Sequence, residues 1–118
     1  MACALLPQVL EYIRQYSPCH GVRAQRYPSL FISTAVDDSR VSYREALKYM
    51  RLVRSACAEY DSKIANLKDG TTTYKDNIKP LLLLRVIEKG GHAGATSDEQ
   101  HRQHLAQELA FLIDTVER

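Results

Sequence analysis

Apolar positions cluster in two short blocks and along two longer periodic stretches, and these define the elements. Leu81 to Ile87 is an apolar run broken only by Arg85. That pattern predicts a strand buried on both faces, as in a parallel sheet covered by helices. Leu30 to Val36 (LFISTAV) is rich in β-formers and follows Tyr27-Pro28, so it predicts a second strand. After it, Ser42-Tyr-Arg-Glu45 has the spacing of a helix-opening capping box. Ala46, Met50, Val53, Cys57, Tyr60 and Ile64 follow at intervals of 4, 3, 4, 3 and 4, which is one face of a helix. Ser97 and Gln100 repeat the box signal before a last helix with Leu105, Leu109, Leu112 and Val116 in line. A short helix over Pro7 to Tyr16, with Val9, Leu10 and Ile13 as its apolar face, ends at Ser17-Pro18 because the residue before proline avoids the α region.

Between these elements the chain is polar. Cys19 to Pro28 reads as an irregular connection. Residues 65–79 hold few large apolar side chains, an Asp69-Gly70 pair and three threonines, which predicts a surface-loop insertion. The order is therefore helix, β, α, β, α. It is an α/β chain whose strand–helix–strand unit should be right-handed with parallel strands. Two parallel strands do not make a sheet that stands alone, and at least one strand edge has no partner in this sequence. The chain reads as part of a larger sheet, with an open edge suited to self-association or to a partner.

Composition narrows the function classes. With 118 residues the chain holds at most one small domain, so residues 1–118 are read as a single, partial one. The net charge of +2 is spread among interspersed acids and bases, so no basic stripe points to nucleic acid. No apolar run is long enough to span a bilayer, so no membrane partner is expected. Met1 to Leu6 is too short for a secretory core and lacks a basic start. Cys3, Cys19 and Cys57 are odd in number and lack metal-ligand spacing, which points to free thiols and a cytoplasmic location.

The candidate chemistry lies at the carboxyl ends of the two strands. Asp37-Asp38-Ser39-Arg40 follows the first, and Gly90-Gly91-His92-Ala93-Gly94 follows the second. Parallel strands bring both loops to one sheet edge, where ligands of open α/β sheets bind. An imidazole there is a natural proton shuttle, and a carboxylate on its Nδ1–H would hold the tautomer. The flanking glycines leave room for close approach to the ring. A turn aspartate and a loop histidine with no catalytic task would have the same spacing.

Together, Tyr16-Ser-Pro18, Val22-x-Ala-Gln25-x-Tyr-Pro28, Asp38-Ser-Arg40-Val41 and Gly91-His92-Ala-Gly94 resemble the final part of the catalytic domain in serine peptidases of the prolyl oligopeptidase family. The likeness is to the oligopeptidase B and prolyl endopeptidase-like branches, and runs from about Tyr12 onward, loosest over residues 65–79. It implies the C-terminal portion of an α/β-hydrolase fold and hydrolysis of peptide substrates. By motif, Asp38 rather than Asp37 takes the role of triad aspartate and His92 that of triad histidine. Arg40 takes that of a substrate-backbone contact. No metal or organic cofactor is implied.

The nucleophile is missing from the pattern. In this fold the serine precedes the aspartate on a Gly-x-Ser-x-Gly turn, and neither Ser17, Ser29 nor Ser33 has flanking glycines. The chain is therefore expected to be inactive by itself. A non-catalytic hydrolase remnant acting as an interaction protein is the alternative, and an unrelated small α/β ligand-binding domain a third. Other features have simpler readings. His101 and His104 are spaced as two metal ligands but suit a partly exposed helix face. Cys57 lies on the apolar stripe. Cys19-His20 are neighbours, which seldom reach nucleophile–base geometry. Asp37 reads as a solvated turn residue.

Overall fold

The computed structural model describes residues 7–66 and 78–118. In chain order these form helix α1 (Pro7–Tyr16), strand β1 (Leu30–Ala35), helix α2 (Tyr43–Asn66), strand β2 (Leu82–Ile87), a 3-10 turn at Gly91–Ala93 and helix α3 (Asp98–Glu117). Strands β1 and β2 pair in parallel, with Leu30 opposite Leu82 and Ala35 opposite Ile87. Backbone bonds from Leu30 N–H to the Leu81 carbonyl (2.8 Å) and from Val36 N–H to the Ile87 carbonyl (2.8 Å) extend the ladder beyond both strand ends. A parallel pair needs a long crossover, and α2 supplies it. The two-stranded sheet with its helices is the α/β unit that the pattern of apolar positions predicts. The predicted insertion at 65–79 is shortened at its start, since Ala65 and Asn66 complete α2, and most of the rest lies outside the described residues.

The helix starts form where the serines predict them. At α2 the Ser42 hydroxyl accepts from the Arg44 N–H (3.3 Å), so the cap closes one residue earlier than the box spacing suggests. At α3 the Ser97 hydroxyl accepts from the Gln100 N–H (3.2 Å). The Gln100 side chain then reaches past Ser97 to the Thr96 N–H (3.0 Å) and hydroxyl (2.7 Å).

The core sits where α2 meets the sheet. Met50 and Val53 are fully buried, with Ala56 and Ala35 beside them. Arg54 ties the helix to the strand by donating to the Leu82 carbonyl (2.8 Å). One expectation about burial is corrected. Strand β2 is not covered on both faces: Leu83 is 37% exposed and Val86 43%. Two strands and two packed helices do not supply enough surface to cover both faces. The leucine stripe of α3 forms one face of the helix and lies outside: Leu105, Leu109, Leu112 and Val116 are all exposed. The covered side of α3 carries His104, Glu108, Phe111 and Thr115 instead.

Arg85 anchors the side of α3 that faces the sheet. Its guanidinium stands 5.1 Å from the Phe31 ring centroid and bonds to the Ser33 hydroxyl (3.0 Å), the His104 carbonyl (3.1 Å) and the Glu108 carboxylate (2.7 Å). Phe31 and Phe111 meet at 5.5 Å between ring centroids. Phe31, Ser33 and Arg85 lie on one face of the sheet because side chains alternate along a strand, so a polar anchor, with one aromatic pair, docks α3. The radius of gyration of 18.3 Å exceeds the roughly 13–14 Å of a compact domain of this length.

Candidate active site

The end of β1 delivers two adjacent carboxylates, and the structure holds them in opposite ways. Asp38 Oδ1 accepts from the backbone N–H groups of Arg40 (2.8 Å) and Val41 (3.1 Å). This is the local turn that a short acidic side chain makes with the backbone beyond it. Asp38 Oδ2 stays free to reach across the sheet edge, where His92 Nδ1 lies 2.9 Å away. The Asp38 side chain is 11% exposed and that of His92 53%. The bonds from Val41 and Arg40, and then the one from His92, hold the Asp38 carboxyl below its ordinary pKa. A carboxylate in that state only accepts, so Nδ1 carries the proton and donates to Asp38. In the neutral ring Nε2 is then the unprotonated nitrogen.

Asp37 turns toward the second loop. Its Oδ1 accepts from the Gly91 N–H (2.7 Å) and the Gly90 N–H (3.1 Å). These two bonds, Gly91's the stronger, also lower its pKa. Asp37 is the exposed turn residue that the sequence predicts, and it also joins the ends of β1 and β2. The neighbour in sequence could not disclose this, because the partners lie more than fifty residues away.

The second loop needs its glycines. Gly91 and Gly94 have φ of 53° and 89°, a region that side chains disfavour. A Cβ on Gly90 would collide with the Gly94 carbonyl. The Gly94 N–H closes the loop on the Gly90 carbonyl (3.0 Å). His92 rides on the 3-10 turn so formed.

Of the residues singled out in the sequence, Asp38 and His92 come together. Arg40 sits on the Asp38 loop with an exposed side chain, and its backbone N–H helps orient that carboxylate. A cleft of about 520 Å³ opens beside the pair and is lined by Arg85, His104 and Glu108 as well as Asp38 and His92. His101 and His104 also border it, but no group of three metal-ligating side chains forms among the described residues. His20 pairs with the Ser17 hydroxyl through Nδ1 (2.8 Å) rather than serving Cys19. Cys57 is half-buried, and burial pushes its thiol pKa up. Ser29 accepts from the Leu81 N–H (3.0 Å) and Ser33 from Arg85 Nε (3.0 Å).

Comparison with known proteins adds to the geometry. The chain is 32% identical over 103 residues to the prolyl endopeptidase-like protein of Gallus gallus, covering 87% of this chain and 13% of that protein. It is 29% identical over 104 residues to dipeptidyl aminopeptidase BI of Pseudoxanthomonas mexicana (88% and 12%), and 25% identical over 103 residues to protease 2 of Moraxella lacunata (87% and 12%). The chain thus spans about an eighth of the length of these curated relatives. No solved structure matches significantly. The family model described as the prolyl oligopeptidase family matches residues 5–118, and on that match, nearly the whole length, the chain belongs to the prolyl oligopeptidase family.

Proposed function

We propose that this chain supplies the aspartate and histidine of a Ser-His-Asp triad in a serine peptidase, as the final portion of an α/β-hydrolase domain. The observation that carries the reading is the 2.9 Å contact between His92 Nδ1 and Asp38 Oδ2, made across 54 residues of chain at the carboxyl ends of two parallel strands. In this mechanism a serine oxygen attacks the peptide carbonyl while His92 Nε2 takes its proton. His92 then returns that proton to the leaving amine. Asp38 keeps the ring in the Nδ1–H tautomer and stabilises the imidazolium. Arg40, exposed beside the pair, contacts the peptide backbone.

The nucleophile comes from outside these residues. Ser17, Ser29 and Ser33 are the serines ahead of Asp38, and each has its hydroxyl engaged elsewhere. These 118 residues alone therefore do not hydrolyse peptides. The test uses the native polypeptide from its source, sized by immunoblot and labelled with a serine-reactive fluorophosphonate. A labelled band well above 13.4 kDa is expected. In that polypeptide His92→Ala should lower kcat by about 10⁴-fold or more. A wild-type rate for His92→Ala overturns the assignment. An unlabelled band at the size of this chain favours a non-catalytic interaction protein.

A further inference from the structure

The loop that carries His92 has little of its own to hold it. Gly90, Gly91, Ala93 and Gly94 offer no side chain that reaches a neighbouring element. The bond from Gly94 N–H to the Gly90 carbonyl is internal to the loop. Among the described residues, every hydrogen bond from residues 88–95 to another element ends on one of two carboxylates. Asp38 receives one, from the His92 ring, at 2.9 Å. Asp37 receives the others, from the Gly91 N–H (2.7 Å to Oδ1) and the Gly90 N–H (3.1 Å to Oδ1 and 3.2 Å to Oδ2).

We propose that Asp37 is a positioning residue that latches the glycine loop to the end of β1 and so sets His92 against Asp38. The two adjacent aspartates divide the work: one orients the imidazole, the other fixes the backbone from which the imidazole springs. The division is physically sensible. A carboxylate that accepts two backbone N–H groups makes charge-assisted bonds, stronger than those between neutral groups. Gly91 and Gly94 at positive φ give the loop a shape but no stiffness. Without Asp37 the Asp38–His92 bond would have to hold the whole loop, and a displacement of about 1 Å at a reacting group can cost about 100-fold in rate.

The inference rests on the reading of His92 as the general base. It is tested in the native-length polypeptide, with peptide turnover and hydrogen–deuterium exchange measured side by side. Asp37→Ala should lower kcat by about 10- to 100-fold with KM nearly unchanged. Asp37→Asn should recover much of the loss, because its amide oxygen still accepts the Gly91 N–H. Exchange should rise over residues 88–94 in Asp37→Ala and stay as in the wild type over α2. A role confined to general stability would instead raise exchange throughout and spare kcat in molecules that remain folded. If His92→Ala is inactive while both Asp37 variants turn over at the wild-type rate, the latch is overturned and the triad reading stands. If His92→Ala keeps full activity, the triad reading fails and takes the positioning role with it. Unchanged exchange over residues 88–94 in Asp37→Ala overturns the latch independently of turnover.

Discussion

Asp37 and Asp38 are neighbours with the same side chain and opposite attachments, and both attachments favour the charged form. Asp38 is stabilised by the N–H groups of Val41 and Arg40 and then by His92, and Asp37 by those of Gly91 and Gly90. The sign of the pH dependence follows. A carboxyl whose native pKa lies below its unfolded value adds stability that is fully present above the unfolded value and is lost as pH falls through the native one. Thermal melts should therefore show stability declining with acid below about pH 4. The double variant Asp37→Asn, Asp38→Asn should flatten that decline. An equally steep acid transition in the variant would mean that other carboxyls carry it.

At the scale of the element, α3 is held by one polar side chain more than by its leucines. Arg85 is 14% exposed on its side chain and joins β2 to the His104 carbonyl, Gln107 and Glu108 on α3. Removing it leaves those acceptors and the Ser33 hydroxyl without their donor, at a cost of roughly 1–3 kcal/mol. Arg85→Ala should thus loosen α3 selectively, seen as faster exchange over residues 98–117 with β1 and β2 still protected. Equal protection of α3 in the variant would show that the Phe31–Phe111 contact suffices to dock it. Helix α2 is the opposite case. Its predicted apolar face agrees with the observed one at Met50 and Val53, both fully buried.

For the molecule as a whole, apolar surface outside the core is the dominant feature. Leu105, Leu109, Leu112, Ile113 and Val116 are between 47% and 85% exposed on a single helix. Among the described residues the sheet has two strands, and each has an unpaired outer edge. Contiguous apolar surface of this kind marks an interface or an aggregation hazard. The 118 residues expressed alone should bind a hydrophobic dye strongly and elute above 13.4 kDa in size exclusion. Charged replacements at Leu109 and Ile113 should reduce both signals. A dye-silent monomer of wild-type sequence would mean that these side chains are covered in solution.

Among the described residues, the positions of strands β1 and β2 and of helices α1 to α3 were legible in the sequence because local spacing dictates them. Period-3.6 stripes, serine caps and β-branched or leucine runs act within a few residues. The loops of the candidate pair were legible for a different reason: parallel strands joined by a crossover bring their carboxyl ends to one edge, while the choice of Asp38 and His92 within those loops rested on the resemblance to the family's motifs. Partners distant along the chain were decided only by the tertiary structure. Asp37 became a loop anchor because the glycine N–H groups arrive from another strand. The leucine stripe of α3 lies outside, while Arg85, itself within an apolar strand, bonds to the opposite side of the helix. Periodicity shows that a helix has an apolar face, but what that face meets depends on which side chains the neighbouring strand presents.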